Sequence, residues 1–164
     1  MKKTFALVLA ISIIGSLFIS SSQTYEQQSL IPTLENLLPD KPFESVLAKL
    51  SIPYWGNIIS VEERGYYRFI EFLLRKGAHF VLFGLLATGI YLSLPSRTPR
   101  FIIALAITLL IACADEMHQY FTGGRTATIR DVVLNMSGAL CFLSIIHLAI
   151  RMISRKKRTA TLKS

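Results

Sequence analysis

The residues of this 164-residue chain whose types and spacing suit chemistry fall in two polar clusters. The first is R-K-G-A-H-F at residues 75–80. The second, at residues 115–135, is D-E-M-H-Q-Y-F-T-G-G-R-T-A-T-I-R-D-V-V-L-N. Lys76 and His79 stand i, i+3, while Asp115 and Gln119, like Asp131 and Asn135, stand i, i+4. Each pair therefore points one way from a helix. Lys76 with Asp115 or Glu116 reads as an interhelical ion pair, because an unpaired charge beside lipid is costly. Equally, Lys76 and Arg125 suit a phosphate or carboxylate, to which an arginine fork binds bidentately. His79 reads as a hydrogen-bond donor to a carboxylate or as a general base. Asp115 and Glu116 are adjacent and diverge by about 100° on a helix. One is expected to pair with Lys76 and the other with Arg125 or Arg130, which weakens a paired acid/base mechanism. Arg125 and Asp131 read either as braces of their loop or as part of a ligand site, and Gly123-Gly124 as a helix stop or as a loop able to close.

The clusters interrupt a chain written for a membrane. It is 52% hydrophobic and 17% charged, with mean hydropathy +0.48. Soluble domains carry about 25% charged residues, and here the apolar residues come in long runs. The net charge of +8 is not spread as on a nucleic-acid-binding face. All ten acids lie within residues 26–131, whereas the two ends and the segment 96–100 carry only bases. Basic cytoplasmic segments of a membrane protein explain this better. No nucleic-acid partner is expected, and the terminal basic run suits anionic lipid headgroups.

Four spans position the clusters. The first, within residues 1–21, is an apolar run behind Lys2 and Lys3. An uncleaved anchor fits it better than a signal peptide, since no clean A-x-A site follows. Residues 22–75 form an extracytoplasmic segment broken by Pro32, Pro39, Pro42 and Pro53. Within it Phe43, Val46, Leu47 and Leu50 have the spacing of a short amphipathic helix. Tyr54, Trp55, Tyr66 and Tyr67 suit the membrane interface. A core over 76–153 holds three further spans, at about 76–94, 101–121 and 129–150, and a basic tail covers 154–164. The purely apolar stretch 101–114 gives about 21 Å of helix, short of a hydrocarbon core of about 30 Å. That span must therefore continue through Asp115 towards Phe121. Thr128 with Asp131 fits a capping box at the start of the last span. The fold expected is an all-α integral membrane bundle with four transmembrane helices and both termini cytoplasmic. Lys2, Lys3, Arg97, Arg100 and the terminal bases then lie inside without an acid, as the positive-inside rule asks. Both polar clusters fall at the outer face.

Gly84, Thr88, Ser137, Gly138 and Cys141 are small enough to let helices approach. Cys113 and Cys141 differ in depth by roughly 12 Å, too far for a disulfide, and both read as packing residues. A metal site is not expected, because the H-E-x-x-H spacing is missing and bases crowd the cluster. No cofactor motif and no nucleophile elbow is present.

The motifs R-K-G-A-H-F-V-L-F-G, D-E-M-H-Q-Y-F, G-R and D-V-V-L-N resemble, in order and spacing, those of the VanZ-like family of membrane proteins. The resemblance spans residues 75–138. It implies that Arg75, Lys76, His79, Asp115, Glu116, His118, Gln119, Arg125, Asp131 and Asn135 form the family's polar site. Position 135 is often Asp in that family, so Asn135 removes a possible charge. The resemblance further implies a multi-span cell-envelope protein linked to low-level resistance to the glycopeptide teicoplanin. It brings no agreed reaction. The function expected is an accessory or binding protein of the cell membrane. Its pocket on the extracytoplasmic side would take an anionic envelope lipid, a precursor or a glycopeptide. An intramembrane enzyme acting on a lipid-linked substrate, with His79, Asp115 or Glu116 as catalytic candidates, is the alternative. A purely structural polar belt is the third reading. The sequence leaves the oligomeric state open.

Overall fold

The computed structural model describes residues 2–24, 26–54, 56–96, 98–122 and 128–161, with Lys2 and residues 157–161 described by backbone alone. Among these, four long helices carry the architecture: α1 (Lys2–Ser21), α5 (Tyr66–Ser93), α6 (Arg100–Phe121) and α7 (Ile129–Thr161). Between α1 and α5 come three short helices, α2 (Ile31–Leu37), α3 (Glu44–Leu47) and α4 (Val61–Arg64), and two strands, β1 (Ile52–Tyr54) and β2 (Asn57–Ile59). The strands form an antiparallel hairpin with Tyr54 opposite Asn57. The sequence reading, all-α, did not anticipate it.

Among the described residues, three helices are long and apolar enough to cross a membrane: Lys3–Ser21, Arg100–Phe121 and Ile129–Lys156. Their outward faces expose Val8, Ile11, Phe18, Ile102, Leu110, Ile145 and Leu148. So much contiguous apolar surface is untenable in water. The chain is a multi-pass membrane protein.

The helix expected at 76–94 is longer than expected. α5 begins at Tyr66, and its first half carries Arg68, Glu71, Arg75 and Lys76. Two local signals account for the early start. Ser60 caps α4 by accepting the Glu63 N–H at 3.2 Å. Gly65, at φ +78°, then turns the chain, a conformation that side-chain-bearing residues resist. α5 ends where Pro95 forbids continuation. At the other end of the chain, α7 runs helical to Thr161, so the expected basic tail continues the last helix as far as the described residues go.

α5 is the hub of the bundle, with Phe83, Leu86, Ala87, Ile90 and Tyr91 buried in a core shared with Ile13 and Leu17 of α1, Ala104 and Ala112 of α6, and Ala139 and Leu143 of α7. It runs parallel to α7. Lys76, in the first half of α5, meets Asp131 at the start of α7, and Tyr91 meets His147 further along both. α1 and α6 run the opposite way, and their C-terminal ends join where the Thr122 hydroxyl donates to the Ser21 carbonyl at 2.7 Å. Gly138 sets the spacing of α5 and α7. A Cβ there would fall 2.1 Å from the Phe80 carbonyl oxygen, so only glycine permits this backbone approach. Cys113 and Cys141 are free thiols on exposed positions, and Ser137 is exposed as well. These three do not pack helices together. Gly84 and Gly138 do so as expected, with a Cβ at Gly84 falling 2.6 Å from the Phe142 ring, and Ala104, Ala112 and Ala139 lie inside with them.

Candidate functional site

Four helices send one end each to a single cavity of ≈ 830 Å³. The end of α1 supplies Ser16, Leu17 and Ser20, α6 supplies Glu116 and Gln119, and α7 supplies Arg130 and Asp131 just after Thr128. The first half of α5 supplies Arg68, Glu71, Arg75, Lys76 and His79. Tyr54 and Asn57 of the hairpin and Glu63 and Arg64 of α4 line the same space.

Asp131 is the centre of the cavity wall. Lys76 donates to its Oδ1, and the Tyr54 hydroxyl donates to the same oxygen at 3.0 Å. The Lys76 ammonium also stands 5.5 Å from the Tyr54 ring centroid. The expectation that Lys76 would pair with Asp115 or Glu116 is therefore corrected. The reason lies at the start of α7. Thr128 Oγ1 accepts the Asp131 N–H at 3.4 Å, as a helix cap should. The reciprocal half of a capping box is not made. The Thr128 N–H instead donates to Glu116 Oε2 at 3.2 Å, and the Thr128 hydroxyl donates to Asp131 Oδ2 at 3.1 Å. Glu116 thus takes over the capping role, and Asp131 is turned towards Lys76. Burial and the negative charge of Asp131 push the Tyr54 phenol well above its usual range, so it stays a hydrogen-bond donor.

Asp115 belongs to a different contact. It is buried, accepts from the Ser21 hydroxyl, and accepts from Gln119 Nε2 at 2.8 Å. It does not line the cavity. The divergence of Asp115 and Glu116 is as expected, but their partners are Ser21 and the Thr128 backbone. His118 also lies off the cavity, stacked on Phe18 with ring centroids 4.6 Å apart. Asn135 is fully buried one helical turn from Asp131, and its amide atoms find no hydrogen-bond partner among the described residues. Arg125 and the two glycines before it lie outside the described residues. Of the ten residues singled out from sequence, six line the cavity: Arg75, Lys76, His79, Glu116, Gln119 and Asp131.

The ordered motifs and the four-helix bundle now stand together, and the sequence pattern of the VanZ/LLP1 family matches residues 5–150. This chain belongs to the VanZ/LLP1 family. No curated protein and no solved structure matches it. The match begins in α1, well before the motifs at 75–138.

Several cavity residues of this VanZ-like protein escaped the sequence reading. Glu71 is 2% exposed, accepts from Arg75 at 3.2 Å, and accepts the Leu30 N–H at 2.7 Å. It ties the start of α2 to α5. Arg64 and Arg68 form the outer wall, with Arg64 over the Phe72 ring at 5.7 Å. Their signal was present in the sequence. Ser60 with Glu63 is a capping box, and Arg68, Glu71, Arg75 and His79 recur at helical spacing.

Proposed function

We propose that this VanZ/LLP1-family protein is a four-span protein of the cell membrane, with α5 as the second span and both termini cytoplasmic. The up-down alternation of α1, α5, α6 and α7 supports this, since it puts Lys3, Arg100 and Arg151 at the end opposite the cavity. The cavity then opens on the extracytoplasmic side. It acts as an accessory binding site for an anionic group carried by an envelope lipid, a precursor or a glycopeptide, and so influences susceptibility to teicoplanin.

One observation carries this reading. Arg64 and Arg68 line the cavity, and neither has an ion-pair partner among the described residues. Lys76 and Arg75, by contrast, have theirs within the wall. Two guanidinium groups outside any ion pair among the described residues, beside a polar space, suit a phosphate or carboxylate. Calorimetric titration of the detergent-solubilised chain with glycerol 3-phosphate tests the reading. Arg68→Gln with Arg64→Gln is expected to weaken binding roughly tenfold or more. Binding unchanged in the double variant would sink it.

The enzymatic reading keeps one observation of its own: His79 and Glu116 line the same cavity. Turnover of a lipid-linked phosphate by the wild-type chain, lost in His79→Ala with binding intact, would establish it. The structural reading applies best to Asp115, whose partners are all internal.

A further inference from the structure

Beyond the polar cavity, the α1/α5 seam holds a second one. On α5 the wall of the polar cavity runs through His79 to Leu82, and one turn further on the second cavity, of ≈ 490 Å³, begins at Leu85. That cavity follows the same seam between α1 and α5, lined by Phe5, Ala6, Leu9, Leu85, Gly89 and Leu92 among others. The cavity residues recur at helical spacing on both helices: 5, 9, 16 and 20 on α1, and 75, 82, 85, 89 and 92 on α5. Each set is one stripe of its helix. The two cavities are therefore successive stretches of one groove.

The cross-section of the groove follows from residue size. Ala6 and Gly89 are buried and form its floor, with the Ala6 carbonyl 3.1 Å from where a Gly89 Cβ would be. Phe5, Leu9 and Leu85 are exposed and form its rims, at 72%, 38% and 37%. From Leu82 to Leu92 the groove is about 15 Å long, roughly half of a 30 Å hydrocarbon core. One end is polar, with five bases against four acids and with Arg64 and Arg68 outside the ion pairs, and the rest is apolar and faces outward along two helices.

We infer that the ligand is an anionic membrane lipid, its phosphate or carboxylate headgroup in the polar cavity and one hydrocarbon chain along the α1/α5 groove, entering sideways from the bilayer. The inference rests on the anion-binding reading above and adds the chemical class of the ligand. A water-soluble anion would fill only the polar end and leave the groove unused. A lipid without a negative headgroup would leave Arg64 and Arg68 without a counter-charge. Only an anionic amphiphile matches the charge at one end and the apolar length of the other.

The test uses the full chain in phosphatidylcholine nanodiscs doped with phosphatidic acid carrying a diazirine near the end of one acyl chain. Photolysis is expected to label peptides containing Phe5–Leu9 and Leu85–Leu92, with unlabelled phosphatidic acid competing. Leu85→Trp, which fills the groove, is expected to lower labelling roughly tenfold. Ile102→Trp, on an exposed face of α6, is expected to leave it unchanged. The wild-type label map decides independently of how Leu85→Trp folds. Label spread evenly over the outward faces of the bundle, uncompeted, would overturn the groove. Glycerol 3-phosphate binding separates the two failures. If it persists while the label is even, the anion site stands and the lipid assignment falls. If it is missing and phosphatidic acid does not compete either, the anion site itself falls, and the lipid assignment with it.

Discussion

Two polar clusters sit at the same end of the bundle and are built differently. The Ser21–Asp115–Gln119 cluster joins the ends of α1 and α6 and is buried; Asp115 accepts from Ser21 and Gln119, and of the three only Gln119 lines the cavity. The Tyr54–Lys76–Asp131 cluster joins α5, α7 and the hairpin and lines a cavity, with its ion pair about one-quarter exposed. The first has the character of a fastening, because a buried carboxylate with satisfied partners fixes the helices that supply them. The second holds a charge pair at the edge of open space, where a ligand can compete for it. Motif spacing alone gives the two clusters equal standing, although they differ in whether anything can reach them.

The largest effect should come from breaking what the second cluster depends on. Gly138→Leu would drive a side chain into the Phe80 backbone and separate α5 from α7. A loss of about 3 kcal/mol is expected, together with the loss of anion binding, as read by thermal unfolding and titration in detergent. Next comes the fastening. Asp115→Ala removes the acceptor that Ser21 and Gln119 share, leaving Ser21 its bond to the Leu17 carbonyl, and should cost about 2 kcal/mol. Because Asp115 does not line the cavity, glycerol 3-phosphate affinity should change by less than about twofold. Lys76→Gln should do the converse. Affinity is expected to fall roughly tenfold, while stability changes by about 1 kcal/mol or less, as for partly solvated ion pairs. If Asp115→Ala abolished binding and Lys76→Gln did not, the comparison would be inverted.

The smallest effect sharpens the wall itself. Tyr54→Phe removes one hydrogen bond to Asp131 and should cost about 1 kcal/mol. The Tyr54 phenol is raised in the folded protein by burial and by Asp131. The stability this lends is therefore present in full below the ordinary tyrosine value of about 10 and is lost as pH rises towards the folded value. The stability difference between wild type and Tyr54→Phe should shrink above about pH 10. A difference that grows there would contradict the assignment.

Much of the bundle was legible in the sequence because lipid imposes long apolar periods that chain order alone reveals. The helix α6, extended through Asp115 to Phe121, lies where a length argument put it. The Thr128 cap was readable from two residues, but its partner exchange with Glu116 was not, since it depends on α6 and α7 lying side by side. The early start of α5 was signalled by Ser60, Glu63 and the charge spacing after Arg64. Four prolines and the high polarity of residues 22–75 instead drew the reading towards a broken interfacial segment with a short amphipathic helix, reaching as far as residue 75. The hairpin was illegible for a related reason. Three-residue strands carry too little periodicity to register, and theirs stand only because they pack over α4 and α5.

By itself the sequence determined the membrane class, the order of the long helices, the family and the residues worth attention. Those follow from composition, period and motif order, all of which are local or additive along the chain. Tertiary structure alone decided which acid meets Lys76, which acid is sealed, and that Arg64, Arg68 and Glu71 belong to the site. Such pairings depend on the depth and rotation at which helices meet. Those are set by contacts such as Gly138 against Phe80, between residues far apart in the chain.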